Sequence, residues 1–182
     1  ISKARGERCY RCDNAHAPFP HWVEINNPYG EPLRSFETHE TDPDIVYMTV
    51  NRGIYKSADR GITWTSIKGD NLPDIVMKSI LYHKGSNEGL YVGTGAGVYY
   101  KDATMDEWVL FKSGLPLVPV YDMKIIYSTN PDRLVVGSYG RGVWKTDAMP
   151  IMTPDLAFTN TSVSVVNTEI DLDIVAINNS DY

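Results

Sequence analysis

Ile45-Val46-Tyr47-Met48-Thr49-Val50-Asn51-Arg52-Gly53-Ile54-Tyr55-Lys56-Ser57-Ala58-Asp59-Arg60-Gly61-Ile62-Thr63-Trp64 is the stretch that decides the fold. It holds two short β-branched and aromatic runs, a glycine-led turn between them, and a second glycine turn that leads into tryptophan. The same columns recur at a fixed offset. Val46, Leu90 and Leu134 stand 44 residues apart, as do Tyr47, Tyr91 and Val135, and Met48, Val92 and Val136. Gly53 returns as Gly97 and Trp64 as Trp108, while Pro43-Asp44 returns two periods later as Pro131-Asp132. Asn71-Leu72-Pro73 has its counterpart in Gly114-Leu115-Pro116, and Trp22 closes an earlier, irregular copy.

Each period carries four short strands. The first covers Ser35–Thr38, Ser79–Tyr82 and Asp122–Tyr127, and the second is Ile45–Val50 with its counterparts. The third is glycine-led, at Gly53–Lys56, Gly97–Tyr100 and Gly142–Lys145, and the fourth holds the tryptophan, at Trp64–Ile67 and Trp108–Phe111. No window sustains a helical period. Four strands in about 44 residues is the size of one β-propeller blade, so the fold class is all-β.

Ser57-Ala58-Asp59-Arg60-Gly61-Ile62-Thr63-Trp64 has the form Ser-x-Asp-x-Gly-x-Thr-Trp and resembles the Asp-box (BNR repeat) of sialidase-like propellers. In such a turn Ser57 and Asp59 cap backbone N–H groups, Gly61 supplies a positive φ, Thr63 completes the pattern, and Trp64 buries its ring between sheets. The second copy, Lys101 to Trp108, keeps the spacing and the tryptophan but loses the Asp and Gly. Gly114 to Asp122 followed by Gly137 to Trp144 is similar to the closing blade of large secreted Asp-box propellers, among them sortilin-like receptors and xyloglucanase-like glycosidases. The resemblance spans about residues 1–148 and implies that the Asp-box lies on the outer rim, away from any ligand face.

The expected organisation is therefore about three C-terminal propeller blades plus a partial start over 1–148, a linker at 149–154, and the first strands of a truncated immunoglobulin-like β-sandwich over 155–182. The last segment is similar to adhesion modules that follow propellers in bacterial surface proteins, and it is too short for seven strands. A ring needs roughly 4–8 blades, so the remaining blades are expected upstream. The chain opens Ile1-Ser2-Lys3, with neither an initiator Met nor a signal peptide, and reads as a piece of something longer.

Composition narrows the function classes. Lys+Arg number 17 and Asp+Glu 23, so the formal net charge is 17 − 23 = −6, unlike the basic footprint of a nucleic-acid binder. No apolar run approaches the roughly 20 residues of a membrane helix. Gly93-Thr94-Gly95-Ala96-Gly97 joins two strands and is a turn, because a phosphate loop must open a helix.

Cys9 and Cys12, with His16 and His21, form the spacing C-x2-C-x3-H-x4-H within residues 4–21, which read as a loop inserted before Trp22. A Cys9–Cys12 disulfide is the expectation, since an even cysteine count suits an extracellular protein. Zinc held by those four side chains, or a pair of free thiols, is the alternative. For hydrolysis of a glycoside, Asp102, Asp106, Glu107 and Asp122 are available, but two carboxylates must face each other about 5–9 Å apart. Arg133 and Arg141 do not make the arginine cluster of a sialidase, and no Ser-His-Asp set is legible. His39 and His83, 44 apart, close two first strands and read as structural. No catalytic residue and no cofactor are assigned.

The expected function is a non-catalytic structural or binding segment of a large secreted or cell-surface propeller protein. Its partner would be a protein or glycan on the propeller face, with Tyr121, Tyr127, Tyr139 and Arg141 as ligand-binding candidates. The alternative is the C-terminal part of a glycoside hydrolase's catalytic propeller, with most catalytic groups outside these residues.

Overall fold

The computed structural model describes residues 2–5, 8–25, 30–151, 156–166 and 169–178. Among these there is no helix, and every regular element is a strand in an antiparallel sheet. By contacts the chain divides into two compact units, Ile1–Pro150 and Ile151–Tyr182.

The first unit holds four sheets in chain order. β1 (Ser2–Arg5), β2 (Arg8–Cys12) and β3 (Trp22–Ile25) form the first. The second has four strands, β4 (Leu33–Thr38), β5 (Val46–Val50), β6 (Ile54–Ser57) and β7 (Thr65–Ser66). The third repeats this with β8 (Met77–Tyr82), β9 (Leu90–Thr94), β10 (Gly97–Lys101) and β11 (Val109–Phe111). The fourth has β12 (Val120–Ile126), β13 (Arg133–Ser138) and β14 (Gly142–Asp147). Strands follow one another across each sheet, and the first strands β4, β8 and β12 are neighbours in series.

Packing explains the repeat. One core cluster joins Tyr47 and Ile54 of the second sheet to Ile80, Tyr82 and Val92 of the third. Another joins Tyr91 and Tyr100 of the third sheet to Met123, Leu134 and Val136 of the fourth. The third sheet therefore buries one face against the second sheet and the other against the fourth. That is why β9 is buried along its whole length rather than alternating; β5 is buried along nearly all of its own. Trp108 is a staple of this arrangement: it is buried, and its Nε1 donates to the Ile67 carbonyl of the preceding sheet at 2.9 Å. Asn71 braces the same residue, donating from Nδ2 to its carbonyl at 2.6 Å.

The structure corrects the sequence reading in several places. Residues 4–21 are not an inserted loop, because the end of β1 and all of β2 lie within them, and β2 pairs with β1 on one side and β3 on the other. No Cys9–Cys12 disulfide forms; both thiols are free and buried. The two residues stand three apart on β2, so their side chains leave opposite faces of the strand. Cys12 pairs with Trp22 and Cys9 with Ile25 across the ladder, and Cys12 Sγ donates to Asn14 Oδ1 at 3.3 Å. The first strands also begin two residues earlier than expected, at Leu33, Met77 and Val120.

In the second unit β15 (Leu156–Val166) and β16 (Glu169–Asn178) form one antiparallel pair, with a bulge between Phe158 and Asn160. The remaining residues of the expected sandwich segment lie outside the described ones.

Candidate functional site

The first strands have two ends with different chemistry: a leading end where β4, β8 and β12 begin, and a trailing end where they finish. At the leading end all three share one irregularity. The pairing register slips between Leu33 and Ser35, between Met77 and Ser79, and between Val120 and Asp122. The extra residue at these bulges is Arg34, Lys78 and Tyr121 respectively. A bulge leaves its residue out of the ladder and re-aims its side chain, a device often found beside binding sites.

Arg34 and Tyr121 meet residues of the turns between second and third strands, and Lys78 meets Tyr121 itself. Arg34 Nε donates to Asn51 Oδ1 at 2.7 Å. Lys78 Nζ lies 4.1 Å from the centre of the Tyr121 ring, inside cation–π range. Tyr121 and Tyr139 are 56% and 73% exposed, with ring centroids 6.0 Å apart and planes tilted by 46°. The Tyr139 N–H donates to the Pro119 carbonyl at 2.9 Å, which fixes this turn against the start of β12. Arg141, exposed in the same turn, is anchored through its carbonyl, which accepts from Trp144 Nε1 at 3.0 Å. Gly93 permits the close approach beneath: a Cβ there would stand 2.8 Å from Val120 Cγ1 and 3.0 Å from the Val120 carbonyl oxygen.

Tyr127 does not belong to this group. It follows the last residue of β12, on the order of 20 Å from Tyr121 at the rise of a strand. Its hydroxyl accepts from the Lys84 N–H at 3.0 Å, so it bridges neighbouring sheets. His39, 88 residues earlier in the repeat, does the same, with Nε2 3.1 Å from the Tyr82 hydroxyl. His83, at the position between them, is fully buried, 3.5 Å from Asp132 Oδ2 and with neither ring nitrogen in a hydrogen bond. Burial pushes its pKa down, and Asp132 opposes that shift.

The turn at 57–64 also lies at the trailing end. Ser57 Oγ accepts from the Gly61 N–H at 2.8 Å, and Asp59 Oδ1 accepts from the Ile62 and Thr63 N–H groups at 3.0 and 2.8 Å. Gly61 has φ +84°, a conformation costly for other residues. The bonds from Thr63, first its hydroxyl and then its N–H, together with the Ser57 hydroxyl, hold the Asp59 carboxyl at a pKa of about 2. Trp64 packs beside Phe36, with ring centroids 6.3 Å apart. Ser57, Asp59 and Thr63 thus hydrogen-bond one another and the backbone of the turn.

A cavity of about 830 Å³ opens at the trailing end between the first two sheets, lined by Arg11, Asp13, Glu37, His39 and Arg60 among others. Burial raises the Glu37 pKa there. Arg11 pairs with Asp13, and Arg60 with Asp44. None of the tyrosines selected from the sequence lines it.

Among the described residues no three His, Cys, Asp or Glu side chains converge on a metal position, and His16 and His21 are exposed. Asp102, Asp106 and Glu107 lie in the trailing-end loop before β11, whereas Asp122 lies at the leading end of β12. Those four therefore do not oppose one another across a cleft. Arg34 and Lys78 were missed from the sequence. Their separation of 44 residues was a visible signal, but the bulge that turns them outward is a backbone feature.

No protein-family model and no curated protein matches this chain. Among solved structures it is similar to the crystal structure of an ancestral GH74 enzyme, with a TM-score of 0.58 at 17% sequence identity. The match covers 77% of this chain and 20% of that one, so the chain spans about a fifth of that enzyme's length. GH74 is a β-propeller family of glycoside hydrolases, and the likeness identifies the stacked antiparallel sheets as propeller blades.

Proposed function

We propose that these blades are a binding segment of a large secreted or cell-surface propeller protein, and that the leading end of the first strands holds a glycan. The observation that carries this reading is the exposed Tyr121–Tyr139 pair with Lys78 against it. Two rigid rings with polar tips offer apolar faces for the C–H side of a sugar and hydroxyls for its rim. They sit on a strand and a tight turn fastened by the Tyr139–Pro119 hydrogen bond, so little ordering entropy is lost on binding. The Asp-box resemblance at 57–64 agrees with this division, since the side chains of Ser57 and Asp59 are spent on groups within that turn.

Calorimetric titration of the full chain with a panel of oligosaccharides tests the reading. Tyr121→Ala and Tyr139→Ala are expected to weaken binding about tenfold each, equivalent to about 1.4 kcal/mol. Tyr127→Ala is expected to leave it unchanged. Loss on Tyr127→Ala alone, or no binding by the unaltered chain, would overturn the reading.

A second reading is favoured by the likeness to a GH74 enzyme: the same face would belong to the catalytic propeller of a glycoside hydrolase. Fold alone does not carry activity across. Asp122 stands at the leading end, and an opposing carboxylate would have to come from residues other than Asp102, Asp106 and Glu107. Release of reducing ends from a polysaccharide by the chain, abolished in Asp122→Asn, would select this reading.

A further inference from the structure

The arginines of residues 8–151 fall into two groups. Arg8, Arg11, Arg52, Arg60 and Arg133 each pair with a carboxylate, in turn Glu24, Asp13, Asp74, Asp44 and Asp147. Arg34 and Arg141 make no ion pair among the described residues, and both lie exposed at the leading end. Between them, on the middle sheet, Lys78 lies over the Tyr121 ring instead of beside an acid. In a chain of net charge −6, an exposed guanidinium would normally find a carboxylate with ease. The face that carries the tyrosine pair thus gathers three cations that make no ion pair among the described residues.

Geometry adds a direction. Arg34, Lys78 and Tyr121 occupy the same bulge in three successive sheets, and packed sheets are spaced on the order of 10 Å. Cationic or aromatic groups therefore recur in a row across the leading end, with Tyr139 and Arg141 at its far side. A row suits an extended polymer better than a single terminal sugar. A planar guanidinium binds a carboxylate or sulfate through two parallel hydrogen bonds, which a neutral hydroxyl cannot match.

Resting on the glycan reading above, we propose that this face selects an anionic polysaccharide whose carboxylates or sulfates recur along the chain. Arg34, Lys78 and Arg141 bind the acid groups, and Tyr121 and Tyr139 stack on the intervening sugars. Nearby acids each have a partner: Asp74 is occupied by Arg52, Glu31 Oε2 accepts from the Arg52 N–H at 3.1 Å and Asp122 Oδ1 accepts from the Met123 N–H at 2.9 Å, and the three cations of the row outnumber Glu31 and Asp122.

The test uses matched polymers that differ only in charge: dextran against dextran sulfate, and fully methyl-esterified against de-esterified polygalacturonate. Affinity is measured by calorimetry on the full chain at low and high salt. The charged member of at least one pair is expected to bind ten or more times tighter, with the advantage shrinking as salt rises. The two pairs separate sulfate from carboxylate recognition. Arg34→Gln, Lys78→Gln and Arg141→Gln, each checked for unchanged melting, are expected to lose about three- to tenfold for the charged polymer. Lys145→Gln, an exposed cation on β14, is expected to lose nothing. Equal binding of neutral and charged members would overturn the anionic proposal while leaving the glycan reading intact. No binding of any polymer would overturn both, and equal loss in Lys145→Gln would reduce the effect to unspecific charge.

Discussion

Trp108→Ala and Trp22→Ala, the same change at two positions of the repeat, are expected to differ severalfold in cost. Trp108 is 2% exposed and Trp22 43% exposed. Trp108 fills the interface between the second and third sheets and donates Nε1–H to the Ile67 carbonyl at 2.9 Å. Truncating so buried an aromatic costs about 3–5 kcal/mol through lost transfer energy and the cavity left behind. At about 2–4 °C per kcal/mol for a chain of this size, melting should fall by roughly 6–20 °C. Trp22 has nearly half its surface in water already, so its truncation should cost at most about 2 kcal/mol. Trp108→Phe keeps most of the ring and loses the hydrogen bond, placing it between the two at about 1–2 kcal/mol. Thermal unfolding followed by near-ultraviolet circular dichroism reads all three. Equal losses for Trp108→Ala and Trp22→Ala would refute the view that packing between successive sheets, rather than the hairpin around each tryptophan, holds the unit together.

Gly93→Ala places a Cβ 3.0 Å from the Val120 carbonyl oxygen, so β12 must shift; we expect a loss of about 1–3 kcal/mol and altered amide resonances at Tyr121, and unchanged resonances would contradict the close packing. Asp59 is held at a pKa of about 2 when folded, against about 3.9 when unfolded, so its contribution is complete above about pH 4 and fades as pH falls toward 2. Acid unfolding of Asp59→Asn should accordingly show a shallower pH dependence in that window. His83 has its folded pKa depressed by burial beside Tyr91 and Tyr127, with Asp132 opposing the shift, so the unfolded chain binds more protons below about pH 6.5 and stability falls as pH drops from there. His83→Gln should flatten that slope; a slope identical to the parent's would show that the histidine is not buried neutral.

The blade plan was legible because the physics behind it is periodic. Tyr47 and Tyr91, or Val92 and Val136, recur at 44 residues because each fills the same slot between sheets. The first sheet was misread where that rhythm weakens. β1 and β2 hold arginines, cysteines and a single tyrosine instead of the usual aliphatic run, and their strands show in the ladder that joins β1 to β2 and β2 to β3. Cysteine spacing suggested a bridge, but a separation of three in an extended strand sends the sulfurs apart. Of the tyrosines offered as ligand-binding candidates, Tyr121 and Tyr139 stand side by side, with ring centroids 6.0 Å apart. Tyr127 was grouped with them by residue type alone, and strand length removes it to the other end. Arg34 and Lys78 escaped notice because the register slip that exposes them leaves no composition mark.

The most direct test is an amide chemical-shift map of the chain titrated with the polymer that binds it best. The account predicts shifts confined to the leading end, at Arg34, Lys78, Tyr121, Tyr139 and Arg141, with Lys84, Tyr127 and the 57–64 turn unmoved. Shifts gathered instead around Tyr127, Lys84 or the cavity beside Arg11 would contradict it.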